Sequence, residues 1–327
     1  MKVSVVGGGS WGTTLAAHLV KTGHEVTLLV RDAQRRDEIA ARRENLHYLP
    51  GLVLPAGLRI GAGQQWVRGA EMVVLAIPSE SFRAVCRGLA SSLDPGTALV
   101  SATKGLELDT LRRMSEVAAE ETSGGKVAVL SGPSFALEVA HGQPTAVVAA
   151  SAHAAVAEAV QQTFANPTFR VYSSDDVIGV ELAGALKNVI AIAAGIVDGL
   201  GYGQNTVAAL ITRGLAEIGR LGTALGGRPE TFSGLAGLGD LVLTATGDLS
   251  RNRKLGRALG SGKSLEEAVR ETVMVAEGVR TTQAACALAE RVHVEMPIAA
   301  QMRAVLYEGR SPREAVDALM IRSLKRE

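Results

Sequence analysis

The sequence predicts two domains: an α/β domain with a mostly parallel sheet over residues 1–173, and an all-α domain over residues 174–327. Two observations carry this prediction. Short β-rich runs, several almost wholly apolar, alternate with helical stretches up to about residue 170, which is typical of strands covered on both faces. Beyond that point no convincing strand follows, and segments rich in Ala, Leu and Glu dominate. The length also suits two domains.

Turn residues bound the β-branched and apolar runs that predict strands. These runs cover residues 3–6, 25–30, 72–77, 98–102, 127–130, 145–149 and 169–172, with 58–60 as a weaker candidate. The second half has helix start signals instead, namely the capping boxes SLEE at 264–267 and SPRE at 311–314. The polar stretch 173–176 is the predicted boundary.

Composition and charge argue against several functional classes. A net charge of +1 gives no overall field for nucleic acid or an anionic membrane, although a local basic cluster can still bind a small anion. Three glycines break the apolar N-terminal stretch, which argues against a signal peptide. The longest apolar run, 177–200, contains Glu181, Lys187 and Asp198, so we do not predict a membrane span. We expect a cytoplasmic protein.

Cysteine and histidine chemistry carries no predicted function. Cys86 and Cys286 lie far apart in the sequence and are expected to be buried or idle thiols in a reducing compartment. The six histidines are scattered without a metal-binding spacing, so no metal and no histidine base are predicted, although spacing alone does not decide against a lone catalytic histidine.

Residues 7–12 (GGGSWG) fit the pattern G-x-G-x-x-G, directly after a predicted strand and before a predicted helix over residues 13–21. This context is what a dinucleotide-binding loop requires, whereas the pattern alone is weak. Gly7 permits the tight turn, Gly9 lets the backbone approach a pyrophosphate, and Gly12 lets the helix pack on the strand. The free N–H groups at the helix start then face the phosphates. The first domain is therefore predicted to be of the Rossmann type.

The end of the second predicted strand bears on the choice between NADH and NADPH. It reads Arg31–Asp32, which offers an arginine suited to the 2′-phosphate of NADPH and a carboxylate suited to the 2′-hydroxyl of NADH. We favour NADPH, with NADH as the alternative. Trp11 inside the glycine loop is interpreted either as a cover for the cofactor or as a plug on the core.

A helix with one polar stripe is the predicted catalytic element. Residues 180–195 are too apolar for a surface helix. At about 100° per residue the polar and small residues share roughly a third of the helix circumference. These residues are Glu181, Gly184, Lys187, Asn188, Ala191, Gly195 and Asp198. We interpret the stripe as a groove that carries functional groups. The alternative is an internal ion pair such as Glu181 with Lys187, although their spacing is poor for a pair within one helix.

Ketone reduction needs a hydride donor and a proton donor, and a lysine serves as proton donor when desolvation or a like charge lowers its pKa. Lys187 is the obvious candidate. Other polar, turn-rich segments suit anion binding: they are 101–105 (SATKG), 131–134 (SGPS), 237–240 (GLGD) and 250–253 (SRNR). Each of these segments taken alone can equally be a cap or a loop.

Together these segments resemble the bacterial NAD(P)-dependent glycerol-3-phosphate dehydrogenase family over nearly the whole chain. The matching motifs are GGGSWG (7–12), IPS (77–79), SATKGLE (101–107), SGPSFALE (131–138), ELAGALKNVIAIAAGI (181–196), GLAGLGDLVLT (234–244), SRNRKLG (250–256), VAEGVRT (275–281) and VLYEGRSPREAV (305–316). The combination is highly specific, whereas the glycine pattern alone is not.

The resemblance implies a role for each matching residue. Lys187 is implied as the catalytic acid/base, and Lys104 as a second lysine near the nicotinamide and the carbonyl. The implied substrate contacts are Lys104, Gly132, Ser134, Lys187, Asp240, Ser250, Arg251 and Asn252, with Arg251 and Asn252 at the phosphate. The implied cofactor contacts are Gly7, Gly9, Ser10, Trp11, Gly12, Arg31, Tyr48, Lys104, Ala136, Arg251, Val275 and Glu277.

The implied reaction is reduction of dihydroxyacetone phosphate to sn-glycerol 3-phosphate, which supplies glycerophospholipid synthesis. Two lysines at one site would repel as cations and lower at least one pKa. The nearest alternative is a dehydrogenase for a hydroxy acid or a pantoate-like substrate, which has no need for SATKGLE or the SRN segment. The other is a nucleotide-binding redox sensor without turnover, which has no need for Lys187. We expect a homodimer, given a helical domain of this size.

Overall fold

The computed structural model describes residues 1–122, 125–271 and 276–323. The chain divides into two compact units. The first unit comprises Met1–Lys104 and Arg112–Val177, and the second comprises Gly105–Leu111 and Ile178–Glu327. A short segment between two strands of the first unit therefore belongs to the second, where Leu106 packs in the core.

An eight-stranded sheet forms the centre of the first unit. In chain order the strands of the unit are β1 (Lys2–Val6), β2 (Glu25–Leu29), β3 (Glu44–Asn45), β4 (Leu49–Val53), β5 (Arg59–Gly61), β6 (Met72–Leu75), β7 (Ala98–Ser101), β8 (Lys126–Ser131), β9 (Thr145–Ala150) and β10 (Phe169–Ser174). The sheet order is β10-β9-β8-β7-β6-β1-β2-β5, and the pairs are parallel except β8 with β9. All eight predicted strands and the mostly parallel sheet are confirmed.

Helices cover both faces of the sheet. They are α1 (Ser10–Lys21), α2 (Ala33–Arg42), α3 (Ser79–Leu89), α4 (Met114–Glu121), α5 (Ala136–Ala140) and α6 (Ala154–Phe164). Residues of α1 and α6 share one apolar cluster with the strands, while residues of α3 and α4 share another. Burial on both faces explains why β6 and β7 read as unbroken apolar runs. Strands β1, β2, β6, β7 and β8 run the same way, so their carboxyl ends share one edge, where ligands bind in such sheets.

The hairpin of β3 and β4 is an element that the sequence did not predict. Its two strands pair antiparallel with a register shift, and β4 contains Pro50 and Gly51. Proline and glycine weaken a strand signal, and a two-residue strand has no readable alternation. Asn45 ends β3 and is 2% exposed, so the hairpin is tied to the interior of the unit by a polar side chain.

The second unit is helical in the residues described. Its helices are α7 (Val177–Gly199), α8 (Gln204–Ala224), α9 (Pro229–Ser233), α10 (Asp240–Thr246), α11 (Arg251–Gly260), α12 (Leu265–Arg270), α13 (Glu277–Arg291), α14 (Pro297–Tyr307) and α15 (Pro312–Met320). A π-helical turn, Leu235–Gly239, leads into α10. Both predicted capping boxes are confirmed, at Ser264 and Glu267 before α12 and at Ser311 and Glu314 before α15.

Helix α7 is the central helix of the second unit. By length and hydropathy alone it could cross a membrane, but 89% of its most apolar window is buried inside the protein. Its side chains form much of the apolar core with α8, α13 and α14. A core helix of this kind explains an apolar run that also carries buried Glu181 and Lys187.

Two pairs of glycines bring α7 and α11 into main-chain contact. Gly195 and Gly199 of α7 face Gly256 and Gly260 of α11. A Cβ added at Gly260 would lie 3.0 Å from the Gly199 Cα, and one added at Gly256 would overlap the carbonyl oxygen of Ile192. Glycine is therefore required at this crossing for space, because no larger residue lets two backbones approach so closely.

Both cysteines are buried, as predicted. Burial raises the pKa of the Cys86 thiol to about 12 and that of the Cys286 thiol to about 11. A thiol that stays protonated at neutral pH is a poor nucleophile and a poor metal ligand.

Glu217 of α8 caps the N-terminus of α14. The side chain is 2% exposed, and its carboxylate accepts hydrogen bonds from the backbone N–H of Ile298 at 2.7 Å and of Ala299 at 3.3 Å. Burial raises the pKa of this carboxyl to about 7, and the two N–H groups with the nearby Arg220 and Arg322 oppose the shift. A buried acid therefore joins two helices of the core at a near-neutral pKa.

We expect Glu217→Gln to reduce the pH dependence of stability. The carboxyl binds its proton more tightly in the folded state than in the unfolded state. The stabilisation that this proton gives is fully present below pH 4.5 and is lost as the pH rises through about 7. At about 1.4 kcal/mol per pH unit, the unfolding free energy of the wild-type protein should fall by roughly 3 kcal/mol relative to the variant across this window. Urea unfolding at the two ends of the window measures it. The control is Glu266→Gln, which changes an exposed carboxyl. Parallel pH profiles for wild-type and Glu217→Gln would contradict the assignment.

Candidate active site

The glycine loop lies at the carboxyl edge of the sheet, between β1 and α1. Gly7 has φ +122°, and a Cβ there would overlap the carbonyl oxygen of Ala76. A Cβ at Gly12 would overlap the carbonyl oxygen of Gly7, whereas a Cβ at Gly9 would meet nothing within 4 Å among the residues described. Gly7 and Gly12 are thus required by close packing, and Gly9 leaves open space above the backbone.

Helix α1 begins at Ser10, three positions before the predicted start at Thr13. Gly9 is the N-cap residue with extended backbone (φ −76°, ψ 179°), and no side chain from the described part of the chain caps the helix. The first turn therefore directs its N–H groups toward the space next to Gly9, where the helix dipole also favours an anion.

Arg31 and Asp32, the two residues predicted to contact the cofactor ribose, follow β2 and have different roles in the structure. Asp32 is the N-cap of α2, and its carboxylate accepts a hydrogen bond from the N–H of Arg35 at 2.8 Å. Arg31 is exposed beside it. Arg35 also donates to the hydroxyl of Tyr48 at 3.0 Å, and its guanidinium lies 5.4 Å from the centre of that ring. A structural role for Asp32 as a cap weakens its competition for a ribose hydroxyl.

Trp11 is partly buried and packs against the apolar cluster beneath the loop. Its indole Nε1 is buried without a hydrogen-bond partner among the residues described. The ring therefore packs on the top of the core, which is one of the two interpretations of Trp11, and its N–H group is left without an acceptor among those residues.

Lys104, Gly132 and Ser134 come together after β7 and β8. Lys104 Nζ donates to the carbonyl oxygen of Gly132 at 2.8 Å, and the Ser134 hydroxyl donates to the same oxygen at 2.9 Å. Gly132 has φ +131°, a conformation that turns this carbonyl toward both donors. Ala136 begins α5, and its carbonyl accepts from Thr14 Oγ1 of α1 at 3.1 Å, so this segment is tied to the glycine-loop helix.

Lys187 is buried in the second unit and forms an ion pair with Asp240. Nζ lies 2.6 Å from Asp240 Oδ1 and 2.6 Å from Thr244 Oγ1, with Lys187 5% and Asp240 1% exposed. The Thr244 hydroxyl donates in turn to the Asp240 carbonyl at 2.6 Å. The π-helical turn before α10 places Asp240 at the start of that helix, one turn before Thr244. The structure therefore contains a buried ion pair of the kind expected as the alternative to catalysis, and it joins Lys187 to Asp240 of another helix.

A chain of amides links the lysine helix to α11 and α13. Asn252 Nδ2 donates to Asn188 Oδ1 at 2.9 Å, and the N–H of Gly278 donates to Asn252 Oδ1 at 3.0 Å. A Cβ at Gly278 would lie 2.7 Å from both the Asn188 carbonyl oxygen and Asn252 Oδ1. The residues next to Lys187 and Arg251 are therefore locked to each other.

Arg251 begins α11 and faces Glu277 at the start of α13. Although the residue as a whole is exposed, nearby groups desolvate its guanidinium. This desolvation lowers the pKa of Arg251, and the charge of Glu277 opposes the shift. Ser250 is the N-cap of α11 and accepts a hydrogen bond from the N–H of Arg253 at 3.2 Å. Val275, also predicted as a cofactor contact, lies outside the described residues.

The prediction of a groove along α7 is wrong for the second half of the helix. Gly195 is covered by the backbone of α11 around Arg253, and Asp198 forms ion pairs with Arg253 and Arg257. Small residues on a helix face admit another helix as readily as a ligand, and the sequence of α7 alone did not distinguish the two. The first half of the stripe does carry a cluster of polar groups around Lys187.

Family models match the two units in turn. The model for the N-terminus of NAD-dependent glycerol-3-phosphate dehydrogenase matches residues 2–157, and the model for the C-terminus matches residues 176–317. The chain belongs to the NAD-dependent glycerol-3-phosphate dehydrogenase family. The resemblance stated from the motifs is thereby confirmed.

Relatives of known name agree with this family. Glycerol-3-phosphate dehydrogenase [NAD(P)+] of Desulfitobacterium hafniense is 51% identical, with all of this chain and 93% of that protein aligned. The Geobacter sulfurreducens enzyme of the same name is 53% identical over all of this chain and 98% of its own. The crystal structure of glycerol-3-phosphate dehydrogenase from Coxiella burnetii superposes with a TM-score of 0.94 at 42% identity and covers 98% of this chain and 99% of that one.

The glycine loop fits the dinucleotide of the glycerol-3-phosphate dehydrogenase family. The open space at Gly9, where a side chain would stand, and the uncapped first turn of α1 suit a pyrophosphate. The residues missed from the sequence are Asn45, Arg35 and Thr244. Thr244 lies four residues after Asp240, a helical spacing that the motif GLGDLVLT already contained.

Proposed function

We propose that this chain reduces dihydroxyacetone phosphate to sn-glycerol 3-phosphate with NADPH or NADH, and thereby supplies glycerophospholipid synthesis. The observation that carries the proposal is the buried contact of Lys187 with Asp240 and Thr244. Relatives 51–53% identical over the whole chain are named for this enzyme, which supports the choice of substrate.

A reduced nicotinamide bound at the glycine loop supplies the hydride. We propose that it is held in the first unit by Gly7, Gly9, Ser10, Trp11, Gly12, Arg31, Tyr48, Lys104 and Ala136, and further by Arg251, Val275 and Glu277. Exposure of Arg31 and the capping role of Asp32 support NADPH as the preferred form.

Lys187 is the proposed general acid. Its ammonium donates a proton to the carbonyl oxygen as that oxygen gains negative charge, and the neutral amine regains a proton from water afterwards. Asp240 and Thr244 hold Nζ at hydrogen-bond distance, so the proton donor is oriented before substrate arrives. The buried carboxylate of Asp240 also compensates the charge of the ammonium.

Lys104, Gly132 and Ser134 are proposed substrate contacts in the first unit, with Lys104 orienting the carbonyl. Arg251 and Asn252 are proposed to bind the phosphate. Asn252 has one amide N–H committed to Asn188, and the other is assigned to a phosphate oxygen. The Ser250 hydroxyl accepts at the N-cap of α11, which leaves its proton to be donated to the same group.

Loss of reduced-nicotinamide absorbance on adding dihydroxyacetone phosphate tests the proposal directly. NADPH and NADH are compared in parallel, and the reverse reaction is followed with sn-glycerol 3-phosphate. Rapid oxidation with dihydroxyacetone phosphate, and none with ketopantoate or without substrate, is the expected result. If the cofactor bound but was not oxidised, the proposed dinucleotide site would stand and the proposed substrate would be wrong.

Arg251→Ala should raise the KM for dihydroxyacetone phosphate by roughly 10- to 100-fold, because hydrogen bonds to a charged group contribute about 1.5–3 kcal/mol. The effect on kcat should be smaller when both substrates are saturating. The matched control is Arg270→Ala, since Arg270 is 78% exposed and pairs with Glu266 on the surface. An unchanged KM for Arg251→Ala would place the phosphate elsewhere.

We also propose that the protein is a homodimer in the cytoplasm. Static light scattering of the purified protein tests the assembly, and a mass of 34.0 kDa would mean a monomer. Fractionation of the native cell tests the location.

A further inference from the structure

Asn45 joins the hairpin to the glycine loop through three hydrogen bonds of its side chain. Nδ2 donates to the carbonyl oxygen of Gly8 at 3.0 Å and to Thr13 Oγ1 at 2.8 Å. Oδ1 accepts from the backbone N–H of Tyr48 at 3.3 Å. The side chain lies between the loop, the first turn of α1 and the turn that carries Tyr48.

The chemistry of its neighbours fixes the orientation of this amide. The Gly8 carbonyl can only accept a hydrogen bond, and the N–H of Tyr48 can only donate one. The amide nitrogen must therefore face Gly8, and the amide oxygen must face Tyr48. A flipped amide would set like groups against each other on both sides.

Burial makes these contacts demanding. Asn45 is 2% exposed and Thr13 is fully buried, so water cannot readily replace either partner. A buried acceptor that loses its donor destabilises the fold, because no hydrogen bond then compensates the free energy of its desolvation. The glycine loop has no side chains of its own at positions 7–9, so its conformation depends on bonds that other segments supply.

We propose that Asn45 is a positioning residue for the dinucleotide. By holding Gly8 and Thr13, it keeps the glycine loop and the first turn of α1 in the conformation that presents their N–H groups to the pyrophosphate. Through Tyr48 it sets the adjacent turn of the hairpin at the same time. This inference rests on the proposed function, since it assigns a support for the site where the nicotinamide dinucleotide binds.

A positioning residue acts on affinity through the fraction of molecules whose loop is competent. The apparent Kd equals the intrinsic Kd divided by that fraction. Asn45→Asp keeps the shape and the acceptor toward Tyr48, but it removes the N–H donors and sets a carboxylate oxygen against the Gly8 carbonyl. If the competent fraction falls to about one tenth, the Kd rises about tenfold.

The test is the Kd of NADPH and NADH for the full-length protein, measured by nicotinamide fluorescence well below the melting temperature of each variant. The matched control is Asn166→Asp. Asn166 lies in the same unit, and its side-chain oxygen accepts from the N–H groups of Thr168 and Phe169, an acceptor role that aspartate retains. Thr13→Val is a second variant, isosteric and buried, that removes one partner of the Asn45 amide.

The expected result is a Kd about tenfold higher for both dinucleotides in Asn45→Asp, a rise of about threefold in Thr13→Val and no change in Asn166→Asp. At saturating cofactor, kcat should stay within about twofold of wild-type, because Asn45 has no part in proton transfer. A lower melting temperature with an unchanged Kd in both variants would show a purely structural role and overturn the inference. Wild-type protein that binds neither dinucleotide would overturn the proposed function, and this inference with it.

Discussion

Replacing Lys187 with alanine is expected to lower kcat by about 100- to 10,000-fold, the usual contribution of a positioned general acid. The Kd values of NADH and NADPH should change little, because Lys187 is not among the proposed cofactor contacts. Steady-state rates with dihydroxyacetone phosphate give kcat, and fluorescence titration gives the Kd. Turnover within a few fold of wild-type would mean that Lys187 is not the acid.

Stability has to be separated from chemistry in this experiment. Removing Lys187 leaves the carboxylate of Asp240 buried without its cation, and breaking a buried pair in this way costs about 3–5 kcal/mol. The double variant Lys187→Met with Asp240→Asn removes both charges and should regain stability without regaining activity. Lys263→Ala serves as the matched control, because Lys263 forms an exposed ion pair with Glu271. Activity restored in the double variant would assign Lys187 a structural role only.

Replacing Gly256 with alanine is expected to destabilise the second unit by about 3 kcal/mol, at the upper end of the usual range for overpacking. The reason is geometric: the new Cβ would overlap the carbonyl oxygen of Ile192, and backbone cannot rotate away as a side chain can. Urea unfolding followed by circular dichroism measures the change. Activity should fall as well, because α11 carries Arg251.

A helical glycine without neighbours provides the control for this prediction. Gly219 of α8 has nothing within 4 Å of an added Cβ among the residues described. Gly219→Ala should therefore stabilise the protein by about 0.5–1 kcal/mol through helix propensity alone. Opposite signs for the two glycine substitutions are the expected outcome. A loss at Gly256 no larger than the change at Gly219 would show that the helices can move apart at little cost.

The central strands β1, β2, β6 and β7 were predictable because they are buried on both faces and therefore read as largely apolar runs between turn residues. Strand β10 was predictable for another reason, since buried and exposed residues alternate along its first half. The hairpin β3–β4 was not, because its strands are short, partly exposed and contain Pro50 and Gly51. The incorporation of residues 105–111 into the second unit also left no local signal. It depends on Leu106 finding a core formed by residues distant in the sequence.

The candidate site shows the same division. The glycine loop and Lys187 could be found from spacing and from a charge in an apolar helix. That Asp240 and Thr244 are the partners of Lys187 could not be predicted, because they come from another helix and a π-helical turn sets their position. The stripe on α7 led to a wrong prediction for a related reason. A small residue such as Gly195 indicates that some group packs closely against the helix, and only the structure shows that this group is α11.

The contact of α7 with α11 has a consequence for how long a substrate can be. On the proposed function, α7 carries the proton donor and α11 carries the arginine that holds the phosphate. The bond between Asn188 and Asn252 fixes the sliding of one helix along the other, and the glycines fix their separation. On the proposed function, the distance between the point of reduction and the phosphate therefore depends on this helix contact, which a side-chain hydrogen bond and main-chain packing hold together. We expect a ketose phosphate with one more carbon between those points to be reduced more slowly, because the two helices cannot shift to accommodate it without breaking this contact.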